Sequence, residues 1–136
     1  MAHPYRMLPK KTSLVGEATY KYFATAVQYD LRQTSEIATL IEKTSGVSSP
    51  DVYGVLRALS LIIERQITAG YSVKLDGLGT FSLSAKSDGY TDKLKCTPKR
   101  VKPKKLCLKV DRELWKRLNE IEFVRDNRTN WESDEL

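Results

Sequence analysis

The spacing of apolar residues along the chain changes twice, from helical to alternating and back to helical. Between Thr34 and Ser45, Ile37, Leu40 and Ile41 fall at i, i+3 and i+4, the stripe of an amphipathic helix. Thr34 or Ser35 can cap its start, Glu36 suits the positive end of its dipole, and Gly46 is placed to end it. A second helix follows at once. Ser48 and Asp51 have the spacing of a capping box, Pro50 fits a first turn that needs no N–H, and Gly70 closes the element. Val52, Val55, Leu56, Leu59, Ile62, Ile63 and Ile67 share one face over roughly 140° of arc, so the pair predicts an αα-hairpin.

Period 2 then takes over. Tyr71, Val73 and Leu75 alternate with polar residues, as do Phe81, Leu83 and Ala85. Between the runs, the glycines of Asp76-Gly77-Leu78-Gly79 permit the positive φ of a tight hairpin. Leu106, Leu108 and Val110 predict a third strand, and Asp111 can cap a last helix with Leu114, Leu118 and Ile121 on one face. Upstream, Tyr20 to Tyr29 is aromatic and β-branched enough to predict an accessory strand. Residues 1–33 therefore read as an extension, 34–123 as the folded domain, and 124–136 as an acidic tail without order.

Residues 86–105 fit neither period. Their few apolar members are scattered, and 20 residues is too long for an ordinary hairpin loop, which marks the stretch as functional or disordered. A protruding β-ribbon, about residues 84–107, accounts for both its alternating base and its polar middle.

Charge sharpens that picture. The chain carries +6 overall, but residues 86–117 hold 12 basic and 4 acidic side chains, a net +8. Residues 1–85 hold 9 basic and 7 acidic, and residues 118–136 hold 2 and 6. A segment so biased suits a polyanion, because neutralising phosphates releases counterions, although a solvated basic surface has the same composition. Catalysis finds no support: there is no Ser-His-Asp or Cys-His set, no phosphate-cradling glycine loop, and one histidine, His3. No cofactor, small-molecule substrate or metal is expected, since Cys96 and Cys107 form no CxxC pair. Two cysteines are too few for a disulfide scaffold and no signal peptide is expected, which predicts a reducing, cytoplasmic setting where Cys96 and Cys107 stay free thiols rather than pair across the arm hairpin. No apolar run approaches the ~20 residues of a membrane span, so no membrane is expected as a partner.

The run Tyr71 to Phe81, YSVKLDGLGTF, resembles the signature of HU and integration host factor, with Leu78 replacing the usual aromatic residue between Gly77 and Gly79. The helical hairpin with its Gly-Val-Ser-Ser-Pro-Asp link and the terminal helix also resemble that family, over about residues 34–123. The extra N-terminal segment and the wording of the arm look closer to the longer HU-HIG group. The resemblance implies an α+β, HU-like fold: a helical hairpin, a three-stranded antiparallel sheet with a protruding β-arm, and a C-terminal helix, in an intertwined homodimer. It further implies arms that wrap double-stranded DNA, a bacterial histone-like role at the nucleoid, and phosphate contacts by Lys86, Lys93, Lys95, Lys99, Arg100, Lys102, Lys104 and Lys105. Leu56, Leu59, Ile63 and Phe81 are assigned to the shared core of dimer and protomer.

The chain departs from the family at the arm tip. Members that kink DNA carry Arg-Asn-Pro there, and no Asn-Pro occurs in this sequence. Leu94, Pro98 and Pro103 are the candidate wedges, with Leu94 nearest the expected apex in a Lys-Leu-Lys setting with nothing to hold it rigid. The family's Phe-x-x-Gly after the third strand is also altered, to Leu108-Lys-Val-Asp111. Shallow bending is the expectation. Tyr90 either packs on sugars or is merely exposed. Tyr5, Tyr20, Tyr22 and Tyr29 form a base-stacking platform or pack an accessory strand against the dimer, and the second reading is preferred. Two other functions compete with architectural DNA binding. One is a protein-interaction module on the same fold, favoured by the missing tip proline. The other is a helix-turn-helix regulator, disfavoured because Pro50-Asp51-Val52 offers no base-reading side chain.

Overall fold

The computed structural model describes residues 2–12, 16 and 19–126. In chain order the elements are β1 (Ala2–Lys11), β2 (Tyr20–Ala26), α1 (Thr34–Ser45), α2 (Ser49–Thr68), β3 (Val73–Leu75), β4 (Gly79–Lys86), β5 (Lys102–Val110), α3 (Arg112–Asn119) and β6 (Glu122–Arg125). The fold is mixed α+β, with two three-stranded sheets ordered β2-β1-β6 and β3-β4-β5. The chain divides into two units, Arg32–Arg117 on the one hand, and Met1–Leu31 with Leu118–Leu136 on the other.

Within Arg32–Arg117, α1 and α2 pack as the predicted hairpin. The cap of α1 is Gln33, one residue before the expected Thr34 or Ser35, because Glu36 reaches back to accept the Gln33 N–H at 2.7 Å. Gly46 takes a left-handed φ of 77° and its N–H returns to the Glu42 carbonyl. The Glu42 side chain then accepts the Ser49 N–H at 2.9 Å, so one carboxylate ties the end of α1 to the start of α2. Ser48 donates its hydroxyl to Asp51, and Pro50 sits in the first turn.

The sheet of this unit is antiparallel. Gly77 has φ 80° in the β3–β4 turn, and a Cβ on Gly79, at φ 151°, would collide with the Lys109 carbonyl, so only glycine lets β4 and β5 meet there. The Asp111 N–H bonds to the Leu78 carbonyl, and the Asp111 carboxylate caps α3 by accepting the Leu114 N–H. α3 stops at Asn119, short of Ile121, and the chain leaves as strand β6. The expected tail thus begins later: Val124 and Arg125 belong to β6, and residues 127–136 lie outside the described residues.

Register places Phe81 opposite Leu108 and Leu83 opposite Leu106, so one face of this sheet is apolar and the other carries Thr80, Ser82 and Lys109. One copy of the chain covers that face poorly. The buried apolar side chains of this unit are Ala38 and Val52, while Leu56, Leu59, Ile63 and Phe81 are half-buried. Val55 is 67% exposed, and Ile62, Leu83, Leu106 and Leu108 are exposed as well.

The second unit was only partly legible. The predicted strand at Tyr20 appears as β2, but its neighbour β1 contains Pro4 and Pro9, which argue against a central strand. Pro4 lies at the end of the β1–β2 ladder, where its carbonyl accepts the Val27 N–H. The nitrogen of Pro9 faces the β6 side, and β6 reaches only Ala2–Tyr5, so no partner strand waits for its missing N–H.

Candidate nucleic-acid interface

The ladder between β4 and β5 runs from Gly79–Val110 to Lys86–Lys102, with an irregularity between Ser84 and Ala85. Ser84 faces Lys105 and Ala85 faces Pro103, which leaves Lys104 as the extra residue of a bulge. Pro103 therefore sits inside the paired ribbon, at the kind of irregularity where a strand tolerates proline. Beyond Lys86 and Lys102 the strands do not continue. Residues 87–101 close the hairpin as a folded loop with two single 3₁₀ turns, Lys93–Lys95 and Pro98–Arg100. The sequence predicted a ribbon over about 84–107. The observed one is shorter, because Asp88, Gly89 and Asp92 are poor strand formers and Asp92 makes a competing local bond.

That bond shapes the apex. The Asp92 carboxylate accepts the Leu94 N–H at 3.0 Å, and the Asp92 carbonyl accepts the Lys95 N–H, closing the first turn. Leu94, held by its backbone and flanked by Lys93 and Lys95, projects with 81% of its surface exposed. The expectation that nothing holds it is corrected here. Arg100 organises the other side of the loop: its guanidinium lies 5.4 Å from the centre of the Tyr90 ring and donates to the Lys95 carbonyl at 3.4 Å. Tyr90 is thereby half-buried in a local contact, and the sequence offered no signal for that pairing.

Lys86, Lys93, Lys95, Lys99, Arg100, Lys102, Lys104 and Lys105 are all exposed. Among the described residues none of the eight is ion-paired, whereas Arg32 pairs with Glu36 and Lys116 with Glu113. Lys86 stands directly across from Lys102, a like-charge pair that costs stability in the absence of an anion. These two line an open hollow at the base of the loop with Ser87, Asp88 and Arg100. The hollow sets three cations against one carboxylate, a net positive charge. Cys96 and Cys107 are free thiols, and Cys107 touches the Ser84 hydroxyl. No helix among the described residues is long and apolar enough to cross a membrane.

No curated protein sequence matches the chain. Among solved structures, it is similar to a protein of Bacteroides vulgatus ATCC 8482 described as a candidate bacterial DNA-binding protein, with a TM-score of 0.62 and 10% identity. The superposition covers 93% of this chain and 50% of that one, so the present chain spans half the length of its structural neighbour. At that identity the likeness concerns the fold. The sequence itself matches a family model over residues 1–125, that of an HU domain fused to a wHTH, Ig or glycine-rich motif, and the chain belongs to this HU-HIG family.

Proposed function

We propose that the chain binds double-stranded DNA as a homodimer, with little sequence selectivity, in an architectural role on the bacterial chromosome. The observation that carries this reading is the group of eight exposed cations on one hairpin and its loop, none with a carboxylate partner among the described residues. Membership of an HU family and likeness to a protein described as DNA-binding support it. The site reads as a binding surface in which exposed cations outnumber the carboxylates Asp88 and Asp92, with Tyr90 and Leu94 among them. Phosphate contacts would supply affinity, and nothing at the loop presents a rigid set of donors and acceptors to base edges.

The dimer rests on the bare apolar face. A unit whose sheet exposes Leu83, Leu106 and Leu108, and whose long helix exposes Val55 and Ile62, forgoes the burial that offsets chain entropy. A second copy offers the same surface in isologous contact, and obligate dimers commonly bury upwards of ~2,000 Å² this way.

Titrating random-sequence duplex at several salt concentrations tests the function. We expect binding without site preference and a steep fall of log K with log salt, about 0.9 per phosphate neutralised. Strong preference for one site would favour the helix-turn-helix reading, and absence of binding would favour a protein-interaction module.

Bending is the finer question. Pro103 is engaged in the ladder and Pro98 opens a 3₁₀ turn, which leaves Leu94 as the best-placed wedge. A leucine lacks the rigid ring of proline, and unstacking a base step costs a few kcal/mol that extra contacts must offset. Energy transfer across an end-labelled duplex should therefore report a shallower bend than proline-tipped relatives produce. A large angle that disappears in Leu94→Ala would overturn the shallow-bend view and make leucine the wedge.

A further inference from the structure

The outer strands of the two sheets differ in how their edges are protected. β3 and β6 are three and four residues long, short enough to template little. β5 runs for nine, but Lys102, Lys104, Lys105, Lys109, Pro103 and the bulge beside it guard its edge. β2 has seven residues, no proline, an unbroken register with β1 and a single charge, Lys21. It is the outer strand of the β2-β1-β6 sheet, and among the described residues no strand pairs with its far side.

The hydrogen-bond pattern fixes what that side offers. The Val27 N–H donates to the Pro4 carbonyl, and the Thr12 N–H donates to the Thr19 carbonyl. Bonded positions alternate along an antiparallel pair, so Lys21, Phe23 and Thr25 also turn their backbone groups toward β1. The N–H and C=O groups of Tyr20, Tyr22, Ala24 and Ala26 therefore point away from the sheet.

A second β2, antiparallel and related by a two-fold axis at Phe23, satisfies that whole row. Tyr20 then exchanges two bonds with Ala26 of the second copy, Tyr22 exchanges two with its Ala24, and symmetry repeats both. Sliding by two residues either way loses a bonded pair, and sets Tyr22 against Tyr22 or Ala24 against Ala24. Side chains fit the same register. Within one copy Tyr5 and Met7 stand opposite Ala26 and Ala24, a large residue beside a small one. Tyr20 and Tyr22 of the second copy would flank those same alanines from the far side, so the alternation of size continues across the seam. On the other face Phe23, 44% exposed, meets its own counterpart, and Lys21 meets Thr25 instead of a like charge.

We propose that the outer edge of β2 is a self-association surface that joins two copies of this chain into one six-stranded sheet. The contact is separate from the homodimer built on the apolar face of Arg32–Arg117, and it stands if that one fails. Where both form, each chain has two self-contacts and dimers link into longer assemblies.

Disulfide trapping in the full chain tests it. Residues opposed in a non-hydrogen-bonded pair have Cα atoms about 4.5 Å apart, within reach of a disulfide. With Cys96→Ser and Cys107→Ser in place, Phe23→Cys should oxidise to a covalent dimer. A mixture of the Lys21→Cys and Thr25→Cys chains should give a mixed dimer. Thr25→Cys alone should stay monomeric on a non-reducing gel, because the axis sets it opposite Lys21 and not opposite itself. Ala24→Pro removes an outward N–H and leaves the β1–β2 bonds intact. It should abolish the Phe23→Cys cross-link and lower the sedimenting mass, with circular dichroism unchanged. No dimer from Phe23→Cys, or one formed equally by Thr25→Cys, overturns the proposal. So does an Ala24→Pro chain that stays folded and cross-links as before.

Discussion

Leu59→Asp is expected to leave the chain unfolded, rather than folded and monomeric. Leu59 lies on the α2 stripe with Val52, Leu56 and Ile63, and one copy of the chain already half-buries it. Removing a buried leucine costs about 2–5 kcal/mol, and placing a carboxylate among apolar neighbours adds desolvation with no partner to offset it. The sum is comparable to the 5–15 kcal/mol that holds a typical domain together. With only Ala38 and Val52 buried among the apolar side chains of this unit, little other core remains to hold the helices. If the second copy completes the core, folding and association are one equilibrium. Circular dichroism of Leu59→Asp should show helix loss at every protein concentration, whereas the wild-type melting temperature should rise with concentration. A wild-type chain that sediments as a folded monomer at micromolar concentration would remove the dimer from this account.

The second large effect is electrostatic. Lys99, Arg100, Lys102 and Lys104 belong to the loop and the first residues of β5, all exposed and without carboxylate partners among the described residues. Replacing all four with Ala should weaken duplex binding evenly across sequences. The salt slope should flatten by up to ~0.9 for each lost phosphate contact, hence by about 3 to 4 if all four touch phosphate. Relieving the Lys86–Lys102 repulsion should leave stability unharmed or slightly raised. Arg100 has a second task, since it stacks on Tyr90 and bonds to the Lys95 carbonyl. A triple variant that keeps Arg100 therefore separates lost charge from a loosened loop. An unchanged slope in both variants would mean that these side chains face solvent in the complex, and that the electrostatic contact lies elsewhere on the chain.

Elements whose signals are local can be read along the chain. The stripe from Val52 to Ile67, Pro50 in a first turn, and Gly46 in a left-handed end state a helical hairpin without reference to the rest of the chain. Alternation from Val73 to Ala85 and from Leu106 to Val110, joined through Gly77 and Gly79, likewise states an antiparallel sheet. The cluster of basic residues was equally plain. The other features depend on partners far apart in sequence. β6 pairs with β1 across more than a hundred residues, and that pairing turns Glu122–Arg125 from an apparent helix end and tail into a strand. β1 was hidden by Pro4 and Pro9, whose lost donors cost nothing only because of where the neighbouring strands stop. The arm was a matter of competition. Asp92 bonds to its own loop and Arg100 to Tyr90, so the backbone leaves the ladder at Lys86 and folds back on itself before a long ribbon can form. Which tyrosines share a face follows from register, and a one-residue slip would have sent Tyr20 and Tyr22 to the opposite side from Tyr5. Periodicity can announce a strand, but only the partner strand fixes that register.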